Sequence, residues 1–244
     1  MSDHKLNNLS KFEKILSNYN PKIEVIDLLN RMTLVLLVAP AAAGRNTLIR
    51  NLMLTGKYHF IVSDTTRKPR LNNGVPEVNG REYWFCSEDL FLDNLRRGDY
   101  LAPAIIHHEQ VSGMSINELQ KAFRHGKIAI TDIDIQGCDN LQNYASTPHN
   151  VFILPPSFEE WMRRLDGRGS IDPIEKQHRL ESAVKEISGA LERPYFKFVI
   201  NWDVRKTSEQ IHEYVASGKY DESLLEFARA HASELVVELK KILV

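Results

Sequence analysis

The side chains suited to chemistry fall in four places along the chain. Gly44-Arg45-Asn46-Thr47 comes after an apolar, β-branched run, Leu34–Val38, that stops at Pro40. Small residues bridge the two, and a helical pattern begins at Leu48. A strand, a tight loop and a helix start, in that order, present backbone N–H groups and a helix N-terminus to an anion. Further on, Arg67 and Arg70 stand three apart in a polar loop directly after a strand. Planar guanidinium groups hold phosphate dianions well because they bind bidentately. Asp132 and Asp134 end a buried strand, and Arg163, Arg164 and Arg168 gather where a helix gives way to a polar stretch. Phosphoryl transfer is mostly positioning and charge neutralisation, and these residue types supply both.

The loop departs from the phosphate-binding pattern of Gly, four residues, Gly-Lys, then Ser or Thr. Ala39 stands for the first Gly, Arg45 for the Lys and Asn46 for the Ser or Thr; Gly44 is kept, and Thr47 comes one place late. Arg45 keeps the positive charge but is longer and forked, so it cannot take a lysine's place without rearrangement. The Asn46 amide oxygen or the Thr47 hydroxyl is left to ligate a cation. Taken alone, the stretch reads as a strand–turn–helix whose small residues serve close contact. The motifs at 63–85, 132–137 and 153–169 reverse that reading.

The elements that must position these residues alternate. An amphipathic helix from Ser10 to about Asn20 and an apolar segment from Ile23 to Leu29 precede the first strand. Strands are expected over 58–63, 82–86, 100–106, 127–133, 150–154 and 196–200, with helices over 48–54, 87–98, 115–125, 136–144, 157–169 and 173–193. Two helices finish the chain, the second starting at Asp221. Alternation of this kind predicts an α/β fold with a mostly parallel sheet and helices on both faces. Segment 58–112 is denser in strands and reads as an inserted β-rich subdomain.

Composition bounds the function. The chain has 244 residues, 43% of them hydrophobic, with 31 basic and 32 acidic residues and a net charge of −1. There is no general basic field, so no nucleic acid partner is expected and phosphate binding must be local. Cys86 and Cys138 match neither a disulfide framework nor a zinc pattern, and are expected as free, inert thiols in a reducing, cytoplasmic compartment. The polar N-terminus lacks an apolar signal region, and no run is long enough to span a bilayer. His107-His108 reads as a surface pair. Oligomeric state is not legible.

Four stretches together resemble guanylate kinase. They are Ser63-Asp64-Thr65-Thr66-Arg67-Lys68-Pro69-Arg70, Glu77-Val78-Asn79-Gly80-Arg81-Glu82-Tyr83-Trp84-Phe85, Asp132-Ile133-Asp134-Ile135-Gln136-Gly137, and Ile153-Leu154-Pro155-Pro156-Ser157 leading to Arg164-Leu165-Asp166-Gly167-Arg168-Gly169. The resemblance covers residues 33–215. It implies a P-loop kinase with a three-layer α/β/α core, a nucleoside-monophosphate subdomain at about 58–115 and a lid at about 166–180. Residues 1–32 would be a helical extension, and 216–244 a C-terminal helix.

The same resemblance assigns roles. Ser63, Arg67, Arg70 and Tyr83 would hold the acceptor phosphate, with an unusually long loop, Leu71 to Pro76, between Arg70 and Glu77. Ala43, Gly44, Arg45, Asn46 and Thr47 would hold the donor phosphates of ATP or another nucleoside triphosphate. Arg164, Arg168 and Arg179 would close over the transferring group. Mg²⁺ is implied, on Asp132 through water and with Asn46 or Thr47. At the base, the family's Glu falls on Ala102 and its Tyr–Gly–Ser segment on Ser112-Gly113-Met114, while Asp134 is kept. Losing those partners would leave a buried guanine edge unpaired. A more apolar pocket suits a methylated base such as thymine. Asn201-Trp202-Asp203 stands where an Asn–Asp pair lies near the donor base, so Trp202 is a base platform or a core residue.

Two functions are compatible with the resemblance: a nucleoside-monophosphate kinase, or a catalytically inactive guanylate-kinase-like module that binds nucleotides or phosphorylated peptides. The altered loop favours the second, the lid arginines favour the first, and the kinase is the function expected.

Overall fold

In the computed structural model, which describes residues 5–72, 74–144, 148–167 and 172–243, the chain opens with two short helices, α1 (Leu9–Leu16) and α2 (Ile23–Leu29). They lead to β1 (Leu34–Val38) and α3 (Arg45–Leu54). Short strands come next: β2 (Tyr58–Phe60), β3 (Asp64–Thr65), β4 (Leu71–Asn72), β5 (Val75–Pro76) and β6 (Trp84–Phe85). After α4 (Glu88–Arg96) come β7 (Tyr100–Ile106), β8 (Gln110–Ser115), α5 (Ile116–Arg124), β9 (Ile128–Asp132) and α6 (Ile135–Leu141). The rest is β10 (His149–Leu154), α7 (Phe158–Asp166), α8 (Pro173–Leu191), β11 (Lys197–Ile200), α9 (Val204–Ser217) and α10 (Glu222–Ile242).

Among the described residues a five-stranded sheet has the order β11-β10-β1-β9-β2, and a four-stranded sheet the order β6-β3-β8-β7. β1, β10 and β11 pair in parallel, as the alternation of strands and helices predicts. The chain divides into two compact units. The first is Met1–Thr33, His59–Ala129 and Asp139–Thr147; the second is Leu34–Tyr58, Ile130–Cys138 and Pro148–Val244.

In the second unit β1 is buried at every position, as a strand covered on both faces must be. Phe152, Phe196 and Phe198 form an aromatic cluster beside it. α10 lies against α8 and β11, burying Leu225, Ala228, Ala232, Leu235, Val236 and Leu239 on one stripe. In the first unit, Phe12 of α1 meets Phe91 of α4 edge-on, and Phe91 stacks on Tyr100 at 4.2 Å between centroids. Leu6, Leu92, Leu95 and Val111 complete that core.

Several elements differ from expectation. α3 begins at Arg45, not Leu48. Gly44 is its N-cap, and the Gly44 carbonyl accepts from the Thr47 and Leu48 amides. The apolar pattern misses this first turn because Arg45, Asn46 and Thr47 do not face the core. The strands at 58–63 and 82–86 shorten to β2 and β6. β8 was not anticipated, since Gln-Val-Ser-Gly-Met-Ser has little β-branched content; antiparallel pairing with β7 creates it. The long loop at 71–76 folds back on itself as the β4–β5 pair. Cys86 is half-buried and Cys138 buried, and neither forms a disulfide among the described residues. No helix among the described residues is long and apolar enough to cross a membrane.

Candidate active site

The second unit carries the loop between β1 and α3. Its carbonyls are tied backwards. The Trp161 indole Nε1 donates to the Ala41 carbonyl at 2.7 Å, and Asn201 Nδ2 donates to the Ala43 carbonyl at 2.9 Å. With the carbonyls so held and the N-terminus of α3 directly behind, the loop has the polarity of an anion site. Gly44 has φ +100°, and a Cβ there would lie 2.2 Å from Asn201 Nδ2, so only glycine fits. Ala42 also lies in the left-handed region, at φ +66°, without being glycine. The loop therefore keeps its shape at the expense of local strain.

Arg45 opens α3 and turns its guanidinium to Asp132, with Nη2 2.9 Å from Oδ2. Asn46 and Thr47 are exposed in the same first turn. Asp134 accepts the Gly137 amide at 2.7 Å through Oδ1, near the start of α6. Glu186 of α8, which sequence reading missed, feels the charges of Arg45 and Asp134; burial raises its carboxyl above the usual range, and the Ser182 hydroxyl donates to it at 2.9 Å. Its signal was faint: one acid adjoining the buried stripe Leu180, Ala183, Ile187 and Ala190.

Arg164 donates from Nε to Glu160 at 2.7 Å. Its Nη1 is 3.9 Å from where a Cβ on Gly44 would sit, so the guanidinium stands beside the loop. Arg163 grips the same Glu160 carboxylate with two nitrogens. These two arginines hold the Glu160 carboxyl far below its ordinary value, at about 2. Arg179 pairs with Glu175 one turn earlier on α8. Arg168 lies outside the described residues. Trp202 is 63% exposed, which removes the core reading.

The first unit carries the other set. Arg67 donates to both oxygens of Glu77, at 2.5 and 2.8 Å, and lies over the Tyr83 ring at 4.7 Å and the Phe85 ring at 5.5 Å. Only 10% of its side chain is exposed, and the Glu77 contact raises its pKa further. The Arg70 amide donates to Glu77 at 2.8 Å, while its side chain is exposed and has no ion pair among the described residues. The Arg67 guanidinium and the Arg70 amide thus meet at one carboxylate, the Tyr83 ring lies against Arg67, and Ser63 immediately precedes β3. The Ser63 carbonyl accepts the Trp84 amide at 2.9 Å.

Met114 is buried and pairs with Leu101 across β7–β8, and Ser112 pairs with Ala104. Ser112 and Met114 share one face of β8, and the Ser112 hydroxyl donates to the Thr65 hydroxyl at 2.9 Å. Ala102 sits in a bulge at φ +47°. Thr65 is a polar residue on this face that sequence reading did not single out.

The Guanylate kinase family profile matches residues 31–218. The chain is 38% identical over 168 residues to a guanylate kinase of Polaromonas sp., covering 68% of this chain and 78% of that protein. It is 36% identical over 183 residues to guanylate kinase of Helicobacter pylori, covering 75% and 85%. The crystal structure of guanylate kinase from Anaplasma phagocytophilum superposes with a TM-score of 0.54 at 25% identity, over 78% of this chain and 87% of that one. A loop with the polarity of an anion site at the β1–α3 junction, Arg67 held on Glu77 and this breadth of likeness agree: the chain belongs to the guanylate kinase family and is a P-loop nucleoside-monophosphate kinase.

Proposed function

We propose that the protein moves the γ-phosphoryl group of ATP, or another nucleoside triphosphate, to a (deoxy)nucleoside monophosphate whose base is not guanine, with dTMP the first candidate. The observation that carries the transfer is the loop at 39–47, with its carbonyls tied to Trp161 and Asn201 and Arg45 at the head of α3. The base assignment is supported by Ala102 and Met114, which offer guanine neither a carboxylate nor a hydroxyl at those positions. The relatives are named guanylate kinases, so GMP is the acceptor against which any other must be compared.

On this reading residues 58–115 form the monophosphate subdomain and 166–180 the lid. The loop amides and Arg45 hold the donor phosphates. Ser63, Arg67, Arg70 and Tyr83 hold the acceptor phosphate, and Arg164, Arg168 and Arg179 offset charge as the group passes between them. Asp134 accepts the Gly137 amide through Oδ1, which leaves Oδ2 to bear on the base. The oxygen donors Asp132, Asn46 and Thr47 fit Mg²⁺: Asp132 is a third exposed at the end of β9 and already faces a cation, Arg45. When bound, Mg²⁺ supplies neutralisation of phosphate charge. Two cysteines with no disulfide between them fit a cytoplasmic setting.

The test is a coupled ADP-release assay with ATP, Mg²⁺ and each (d)NMP in turn, with Arg70→Ala protein as the control against contaminating kinases. Turnover on one non-guanine acceptor, with a monophosphate KM about tenfold or more higher in the control, is expected. Turnover on GMP alone overturns the base assignment. No turnover on any acceptor, with phosphorylated peptides binding instead, overturns the enzyme in favour of the inactive module, a reading that the Arg45–Asp132 pair would then explain.

A further inference from the structure

Tyr19 lies in the link between α1 and α2, outside residues 31–218 that the family profile covers. β7 is an edge strand of the four-stranded sheet, and an edge leaves backbone donors and acceptors without a neighbouring strand. The Tyr19 hydroxyl fills that place at one residue. It donates to the Tyr100 carbonyl at 2.7 Å and accepts from the Tyr100 amide at 2.9 Å.

Tyr100 leads in two directions. Its own hydroxyl donates to Asp64 Oδ2 at 2.8 Å and accepts from Asn94 at 3.2 Å. Asp64 stands between Ser63 and Thr65 on β3. Two residues after Tyr100 along β7 comes Ala102, left-handed at φ +47° inside the bulge where register shifts between Leu101 and Ala104. A non-glycine residue holds that conformation only when its surroundings fix it. The N-terminal segment is itself anchored. Asn8 donates to Glu88 at 2.8 and 3.1 Å, Lys22 pairs with Asp99 at 2.5 Å, and Phe12 is fully buried in the first unit's core.

We propose that Tyr19 is a positioning residue for the acceptor half-site: by pinning Tyr100 it fixes both the strained backbone at Ala102 and, through Asp64, the strand that begins just after Ser63. The proposal rests on the acceptor role assigned to Ser63 and Ala102.

The test compares Tyr19→Phe, which keeps the ring, with Asn8→Ala, which loosens the same segment without touching β7. Amide hydrogen exchange at Leu101, Ala102 and Ala104 is expected to quicken about five- to a hundredfold in Tyr19→Phe, the range two neutral hydrogen bonds supply. The KM for the monophosphate is expected to rise by about twofold or more at unchanged kcat and donor KM. Asn8→Ala is expected to lower Tm alone. Equal exchange and equal KM in the two variants overturns the proposal and leaves Tyr19 a structural residue. Should the wild type bind no monophosphate, the acceptor assignment fails on its own account. Exchange then decides: faster exchange in Tyr19→Phe alone upholds the pinning of β7, and equal exchange overturns it.

Discussion

Arg45 Nη2 lies 2.9 Å from Asp132 Oδ2, joining the first residue of α3 to the last residue of β9. On the proposed reading, the cation of the donor loop is held by the carboxylate assigned to the metal, and a nucleoside triphosphate would compete for it. Arg45→Ala is expected to lower kcat by about a hundredfold or more, the scale of losing one charge-stabilising group. Arg45→Lys is expected to retain turnover, because an ammonium also binds phosphate as a point charge. Steady-state kinetics on both variants checks this.

The two arginines proposed to hold the acceptor phosphate should behave differently. Arg67 is 10% exposed and paired with a Glu77 that is 6% exposed, so Arg67→Ala strands a buried carboxylate and is expected to cost about 3 kcal/mol of stability. Arg70 is exposed, so Arg70→Ala is expected to leave Tm unchanged while weakening monophosphate binding about tenfold or more. Thermal melts alongside calorimetric titration separate the two effects.

Asp64 should give stability a pH dependence. Burial, opposed by the Tyr100 hydrogen bond and reinforced by the Glu118 charge, raises its carboxyl from 3.8 to about 6; Lys121 and Ser115 pull the other way. Between these values the unfolded chain releases a proton that the folded chain keeps. Stability therefore falls as pH rises from about 4 to about 6 and is flat above. Asp64→Asn is expected to remove that fall, worth about 2–3 kcal/mol across the window. Urea midpoints measured from pH 4 to 7 check it.

Ala42 holds a left-handed conformation that glycine adopts freely. Ala42→Gly is expected to stabilise the protein by about 1 kcal/mol through relief of strain. An unchanged or lower Tm would mean that the lost contacts of the buried methyl outweigh the strain.

What the sequence made legible was whatever one local signal determines. The run Leu34–Val38 and the helix-opening residues Ser87, Ser157 and Asp221 each act within a few residues, and each stands where expected, the last three as N-caps. β8 was not legible because its partner, not its composition, makes it a strand. The first turn of α3 was hidden because anion-facing residues carry no apolar period. Glu186 and Tyr19 were missed for a shared reason: each matters through a residue far off in the chain, Arg45 in one case and Tyr100 in the other. Arg67 and Arg70 were visible as a pair, but not the carboxylate that holds Arg67 in place.

The closure of the β4–β5 hairpin has a bearing beyond catalysis. The Glu77 amide donates to the Arg70 carbonyl at 2.9 Å, and the Arg70 amide donates to the Glu77 carboxylate. Beyond this clasp Leu71 and Val75 are 71% and 57% exposed. Doubling the length of such a loop costs only about 0.6 kcal/mol in closure entropy. Residues 72–75 are therefore a natural graft point. A tag, a fluorophore or an inserted domain placed there would hang from a clasp that keeps Arg70 and Glu77 in register.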